Sequence, residues 1–245
     1  MPEGNLPLWG LRDPVSMLSH ALAAVLGVGA TIWLVRCSGP DRPKRLSLLV
    51  FGLSWVLLYS ASATYHALTL PHQHLRFFRL LDHSAIFLLI AGTYTPLLVV
   101  LRSGRRGTRL MVAGMWFVAG LGIAAKWFLP ELPHEASVVI YLLVGWIGLV
   151  PVMEMTREHG LRMLSQVFYG GVIYSIGGLI ELAERPTLVP RVVGPHEVFH
   201  FCVMLGTWCH FLFMLQIVAP ARTGVVASEP RGRAWPEQVQ QRRAA

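Results

Sequence analysis

Long apolar segments separated by short polar loops dominate the chain. An α-helix needs about 20 apolar residues to cross a bilayer core of about 30 Å. Seven segments reach or approach that length, at residues 15–36, 46–70, 82–101, 108–129, 136–153, 164–181 and 196–218. The loops between them are punctuated by Gly and Pro and leave no room for a second domain. The pattern therefore predicts an all-α integral membrane protein, folded as a seven-transmembrane helix bundle.

The segments outside this membrane domain, which covers residues 15–218, are short. Residues 1–14 form an N-terminal segment. Residues 219–245 are rich in Arg, Pro, Gln and Ala and lack apolar periodicity, so we expect a disordered basic tail. The first span has no basic flank before it and no small-residue cleavage site after it. It is therefore expected to be a mature helix rather than a signal peptide.

The composition agrees with a membrane location. Of the 245 residues, 54% are hydrophobic and only 14% are charged, whereas soluble domains carry about 25% charged residues. The three cysteines contain no CxxC pair, which argues against a disulfide scaffold or a cysteine-based zinc knuckle. A net charge of +8 would suggest nucleic acid as the partner of a soluble protein. In a membrane protein, an excess of basic residues instead indicates which loops face the cytoplasm. We therefore expect no nucleic-acid partner.

Basic residues are unevenly divided between the two faces of the predicted bundle. Fifteen of the 21 Lys and Arg residues lie in the tail and in the loops after the first, third and fifth spans. Only six lie on the face that carries the N-terminus, called the N-terminal face below. The positive-inside rule then predicts that the basic loops and the C-terminus are cytoplasmic and that the N-terminus lies outside.

Ionisable residues within the spans collect at the N-terminal face. His66 lies near the end of the second span, Asp82 opens the third, and His196 and His200 begin the seventh. His196 and His200 are four residues apart, so both rings project from one helical face and can chelate one cation. Ser62 has the same spacing from His66 and lies one turn deeper. Because ionisable groups inside a membrane mark function by default, these residues form the candidate site.

The chemistry that fits this set is that of a zinc ion and a water molecule. Three neutral imidazoles with a fourth position left to water are typical of a catalytic zinc site, so His66, His196 and His200 are the predicted metal ligands. Asp82 is the predicted catalytic carboxylate, which would accept a hydrogen bond from the water and carry its proton. Zinc would lower the pKa of that water to about 7.

Residues 196–200 also read HEVFH, the HExxH pattern of metalloproteases, in which Glu197 would be the base. No Asp follows residue 200, so the third ligand must come from upstream, and the protease interpretation weakens. Glu197 is turned about 100° from the histidine face, and its role stays open. The remaining intramembrane histidines, His20, His83 and His210, are expected to hydrogen-bond between helices. Glu181 is interpreted as an interface residue.

Several short motifs occur along the spans. They are SATYH at residues 62–66, LDHSAI at 81–86 running into IAGTYTP at 90–96, GGVIYSIG at 170–177 and PHEVFH at 195–200. In combination they resemble the hemolysin III family, the bacterial branch of the progestin and adipoQ receptor family within the CREST superfamily. The similarity extends from residue 12 to about residue 218.

This resemblance implies a seven-helix bundle in a bacterial plasma membrane, with zinc held by His66, His196 and His200 and with Asp82 and Ser62 near the bound water. Adiponectin receptors and alkaline ceramidases belong to the same superfamily. They imply hydrolysis of a lipid amide or ester, with a sphingolipid or fatty-acyl substrate. The adiponectin-receptor branch keeps its N-terminus and zinc face in the cytoplasm. The distribution of Lys and Arg in this chain predicts the opposite orientation, and we retain that prediction.

Three functions stay open at this point. The first is a zinc-dependent, ceramidase-like hydrolase that uses zinc-activated water, with Asp82 handling the proton and Ser62 hydrogen-bonding the oxyanion or the water. The second is a cytolysin or haemolysin with a structural zinc, although the spans show no repeated polar stripe that would line a pore. The third is a receptor-like regulator of membrane lipid homeostasis. The sequence leaves the oligomeric state undefined.

Overall fold

The structure is a computed structural model that describes residues 10–129 and 132–218. Within these residues the chain forms eight α-helices: α1 (Pro14–Cys37), α2 (Arg42–Ala67), α3 (His72–Leu101), α4 (Thr108–Phe128), α5 (His134–Ile147), α6 (Leu149–His159), α7 (Leu161–Ala183) and α8 (Pro195–Val218). The predicted disordered tail at 219–245 and most of the N-terminal segment lie outside the described residues.

Seven helical segments in the described part of the chain are long and apolar enough to cross a membrane, and α5 and α6 together make up one of them. The prediction of an all-α chain with seven spans is therefore confirmed. The zinc site that accompanied it stays a prediction.

The largest differences from the predicted boundaries occur in the third and fifth spans. Helix α3 begins at His72 rather than at residue 82. On the N-terminal side of residue 82, the apolar pattern is interrupted by Arg79 and Arg76. The helix continues through them because an amphipathic helix can extend beyond the hydrocarbon core with its polar residues in the membrane interface. The fifth span, predicted at 136–153, begins at His134 and continues to His159 for the same reason.

The fifth span is also interrupted at Gly148, between α5 and α6. Pro151 lacks the N–H that would bond to the Ile147 carbonyl, and its ring crowds that carbonyl. The Tyr94 hydroxyl donates to the Gly145 carbonyl at 2.6 Å. A Cβ at Gly148 would lie only 1.9 Å from the Tyr94 ring, so this close approach requires glycine. A proline and an inserted side chain together account for the break.

The helices that carry the predicted site are neighbours. Helix α2 packs between α1 and α3, α8 packs against α7 and α1, and α3 touches α8. Close contact of α7 with α8 depends on small residues. A Cβ at Gly170 would lie 2.5 Å from His210 Nδ1, and one at Gly206 would lie 2.5 Å from the Tyr174 ring. This is the close packing that small residues permit in membrane helices.

Candidate metal centre

The three histidines predicted as ligands converge at one end of the bundle. His66 lies at the end of α2, and His196 and His200 lie in the first two turns of α8. One ring nitrogen from each histidine lies within 4.8 Å of the other two. His66 Nε2 and His196 Nε2 are 3.4 Å apart. The structure therefore brings the predicted set together, while metal binding itself stays a prediction.

The carboxylate of Asp13, at the start of α1, fixes the ring of His66. Asp13 Oδ2 accepts from His66 Nδ1 at 2.9 Å and from Arg12 Nε at 2.8 Å. The Asp13 backbone N–H also donates to the His66 carbonyl at 3.0 Å. Because Nδ1 faces a carboxylate, we assign the ring proton to Nδ1, which leaves the Nε2 lone pair directed at His196.

Asp13 remains ionised because of its partners. Burial raises the pKa of this carboxyl group, but the hydrogen bonds from His66 and Arg12 and the positive charge of Arg12 outweigh burial and lower the pKa to about 2. Arg12 is itself held over the Tyr65 ring, 4.1 Å from the centroid. Sequence reasoning missed Asp13, because an Asp before a helix suggests an N-cap. Its side chain makes no such cap bond here.

Glu181, at the end of α7, does for His196 what Asp13 does for His66. Its Oε1 accepts from His196 Nδ1 at 2.9 Å and from His134 Nε2, at the start of α5, also at 2.9 Å. Glu181 is only 8% exposed. The interpretation of Glu181 as an interface residue therefore missed its main contact, which no spacing within α7 could reveal.

Removing either carboxylate should weaken metal binding without abolishing it. Asp13→Ala and Glu181→Ala would each release one ring from its fixed orientation and leave its Nδ1–H unpaired. Partners that orient ligand histidines are worth about 10- to 100-fold in metal affinity. We expect losses of that size in competition titrations with a chromogenic chelator. The exposed Glu135→Ala is the matched control, and a loss of equal size in that variant would contradict the assignment.

The third histidine, His200, has no carboxylate partner in the part of the chain that the structure describes. Its Nδ1 is buried and makes no hydrogen bond to any described residue. The ring of His20 stacks on it, with centroids 3.9 Å apart and planes inclined by 12°. His20 thus meets α8 through its ring face, and neither of its nitrogens has a hydrogen-bond partner in the described part of the chain.

This donor set fits a zinc ion. It offers three imidazoles, two of them backed by carboxylates, which is a common arrangement around zinc. Buried polar atoms are normally satisfied, so the unpaired nitrogen of His200 marks a place where the protein alone does not complete the bonding.

Asp82 and Ser62 lie beside the histidines, on α3 and α2. They are 8% and 1% exposed, and both line the cavity that His196 and His200 also line. The Ser62 side chain is a close neighbour of the Asp82 carboxylate. The structure thus places a carboxylate and a hydroxyl next to the predicted ligands, and their catalytic roles stay predictions.

Glu197 has a different environment from that of a metalloprotease base. Its Oε1 accepts from Ser16 Oγ at 3.0 Å, and its Oε2 accepts from the Gly194 N–H at 2.9 Å. The second bond resembles the reach-back of a capping box at the start of α8. Glu197 is 2% exposed and is not among the residues that line the cavity. Its contacts therefore join α8 to α1 and further weaken the protease interpretation.

Glu197→Gln should accordingly reduce stability and leave metal binding intact. A Gln side chain has one carbonyl oxygen in place of two charged acceptors, so both charge-assisted bonds become neutral ones, even when its NH2 group donates to the Ser16 hydroxyl. Hydrogen bonds to charged groups contribute about 1.5–3 kcal/mol, against about 1 kcal/mol for neutral ones. We expect a lower melting temperature in detergent and an unchanged zinc content. Loss of zinc together with normal thermal stability would show instead that Glu197 serves the metal directly.

A cavity of about 180 Å³ runs from the histidines into the bundle. Asp82, His196 and His200 line its polar end. Most of the remaining wall is apolar and includes Ile86, Leu89, Ile90, Leu142, Phe199 and Val203. His210 also lines the cavity, ten residues beyond His200 on α8, which corresponds to about 15 Å along the helix axis. The cavity thus pairs a polar end with a long apolar interior.

Comparison with known proteins gives matches over most of the chain. Residues 9–211 match the family described as Haemolysin-III related. Hemolysin-3 of Bacillus cereus is 33% identical over 85% of this chain and 93% of its own length. The Hemolysin-3 homolog of Bacillus subtilis (strain 168) is 29% identical over 83% of this chain and 93% of its own. The ADIPOR-like receptor IZH1 of Eremothecium gossypii is 31% identical over 29% of this chain and 26% of its own.

Proposed function

Because the chain belongs to the Haemolysin-III related family of multi-pass membrane proteins, as its motifs had indicated, we propose that it is a zinc-dependent hydrolase of a lipid amide or ester. One observation carries the proposal. Three histidines converge beside a buried carboxylate, at the polar end of a long apolar cavity. Ligand pockets that are mostly apolar, with a few convergent polar groups, suit an amphiphile whose reactive carbonyl is at the polar end.

The residues of the site divide into three roles. His66, His196 and His200 would hold the metal, and Asp13 and Glu181 keep two of these rings oriented. A zinc ion, when bound, supplies a Lewis acid that polarises a carbonyl oxygen and lowers the pKa of water. Asp82 would take the proton released by the attacking water and return it to the leaving amine or alkoxide.

Ser62 and the cavity wall would position the reacting groups. The Ser62 hydroxyl would orient the Asp82 carboxylate by donating a hydrogen bond to it. The apolar wall holds the lipid chain and thereby fixes the carbonyl at the histidine end, which replaces a bimolecular encounter by a positioned one.

The test is turnover by the purified, zinc-loaded protein. Ceramide and a phospholipid ester would be offered in mixed micelles, and the released fatty acid would be measured. We expect the wild type to release fatty acid from one of the two substrates and the His66→Ala variant to release none. Absence of turnover, combined with no effect of His66→Ala in cells, would reject the hydrolase.

A cytolysin is the second candidate, because two relatives carry the name hemolysin. A lytic protein with a structural zinc would lyse erythrocytes or liposomes without releasing fatty acid. Lysis that survives Asp82→Asn would favour it over the hydrolase, since Asp82 is outside the predicted ligand set. A receptor-like regulator of lipid homeostasis, suggested by the shorter match to an ADIPOR-like receptor, predicts altered lipid order in a deletion strain without turnover.

We also propose that the protein lies in a bacterial plasma membrane with its basic loops and C-terminus in the cytoplasm. The uneven distribution of Lys and Arg supports this orientation. Cys37 is exposed at the end of α1, on the basic face. With Cys202 and Cys209 replaced by Ser, an impermeant maleimide should label Cys37 only after the cells are permeabilised. A Gln73→Cys variant on the N-terminal face should label in intact cells, and the reverse pattern would invert the topology.

A further inference from the structure

His210 is a buried polar residue that the proposed hydrolysis does not use. It is 6% exposed, and it lies about 15 Å along α8 from His200, close to the middle of a bilayer core about 30 Å thick. A polar group at this depth is costly and by default functional. It lines the same cavity as the candidate metal centre.

Three contacts hold the His210 ring in place. Its Nδ1 lies 2.8 Å from the Gly206 carbonyl oxygen, one turn earlier on α8. The ring stacks on Tyr174 of α7, with centroids 5.4 Å apart and planes inclined by 16°. The edge that carries Nδ1 and Cε1 packs on Gly170, where a Cβ would lie 2.3 Å from Cε1. The ring is thus confined between Gly206, Tyr174 and Gly170.

The contact with Gly206 also fixes the tautomer. A carbonyl oxygen only accepts, so Nδ1 carries the proton and donates it. A charged imidazolium at mid-membrane is unfavourable, so the ring is neutral and Nε2 presents a bare lone pair. No described residue donates to Nε2, yet it is not among the fully enclosed unpaired atoms, so it keeps access to the cavity. Nε2 is therefore an uncommitted acceptor inside a mostly apolar cavity.

We propose that His210 is a specificity subsite for lipids whose acyl chain carries a hydroxyl group about 15 Å from the carbonyl. The inference rests on the proposed function, because the carbonyl is taken to lie at the histidine end of the cavity. A hydroxyl at that point on the chain donates to Nε2. An unsubstituted chain displaces water from Nε2 and leaves this nitrogen without a hydrogen-bond donor. The resulting difference in binding free energy corresponds to about a tenfold preference for the hydroxylated chain.

The test measures binding rather than turnover. The full-length protein in detergent would be titrated with free fatty acids of one chain length that compete with a fluorescent fatty acid. The series has no hydroxyl, a hydroxyl next to the carboxyl group, and a hydroxyl about 15 Å along the extended chain. We expect the acid with the distal hydroxyl to bind about tenfold more tightly than the other two.

Two variants locate the effect. His210→Phe keeps an aromatic ring for the contact with Tyr174 and removes Nε2, so the preference should vanish while plain chains still bind. Thr93→Val is the matched control. Thr93 lines the cavity eleven residues beyond Asp82 on α3, at a similar depth, and its hydroxyl is already committed to the Leu89 carbonyl at 2.8 Å. The preference should persist in this variant.

Each outcome decides the matter. Equal binding of all three acids by the wild type overturns the subsite and leaves the hydrolase proposal standing. If none of the three acids binds, both the subsite and the lipid-binding role of the cavity are rejected. A preference that survives in His210→Phe also overturns the assignment. If His210→Phe does not fold, the dependence of wild-type affinity on the position of the hydroxyl still tests the proposal.

Discussion

Replacing His66 by Ala is expected to reduce the zinc content of the purified protein from about one ion per chain to nearly none. The two remaining ligands, His196 and His200, come from a single helix, whereas zinc sites in proteins use three or four protein ligands. The variant also loses His66 Nε2, which lies 3.4 Å from His196 Nε2. Zinc would be measured by elemental analysis after dialysis against a weak chelator.

The control for this prediction is His72→Ala. His72 is an exposed histidine at the start of α3, so the change removes one imidazole and leaves the cluster intact. We expect wild-type zinc in this variant. Equal zinc in His66→Ala and the wild type would remove the basis of the metal centre, and loss of zinc in both variants would point to adventitious binding by histidines in general.

The sequence predicted the three histidines as a set because two simple regularities coincided. The i, i+4 spacing places His196 and His200 on one face of α8. Counting spans then places the end of the second span and the start of the seventh at the same membrane face, which brings His66 to them. Neither argument depends on side-chain packing, and this explains why both could be made without a structure.

Asp13 and Glu181 escaped the sequence argument for a physical reason. A carboxylate at a helix end is equally consistent with a cap, with an interfacial position and with a partner on another helix. The choice depends on how α1 meets α2 and how α7 meets α8, and those contacts are set by tertiary packing. The break in the fifth span could have been found, since Pro151 inside an apolar run signals a defect one turn earlier.

The two carboxylates also link the site to the assembly of the bundle. His66 on α2 is oriented by a residue at the start of α1, and His196 on α8 is oriented by the last turn of α7. Glu181 additionally bonds His134 at the start of α5. The predicted ligands are thus held by contacts among five helices, and the geometry of the site requires all five to be packed at the N-terminal face.

Asp82→Asn is expected to lower lipid hydrolysis by about 10²- to 10⁴-fold, the range for loss of a general acid–base group. Asn has nearly the shape of Asp but cannot take up the proton of the attacking water at neutral pH. Asp82 is not a member of the histidine cluster, so the zinc content should stay at the wild-type level. The measurement is the rate of fatty-acid release, with zinc determined on the same preparation.

The combination of lost turnover and retained zinc is what distinguishes a proton carrier from a ligand. Glu135→Gln, a change of the same kind at an exposed carboxylate in the first turn of α5, should leave both quantities unchanged. Ser62→Ala should reduce the rate less than Asp82→Asn, because it leaves the proton-carrying carboxylate in place. Wild-type turnover in Asp82→Asn would exclude this carboxylate as the proton carrier. Loss of zinc in that variant would instead place Asp82 among the groups that hold the metal.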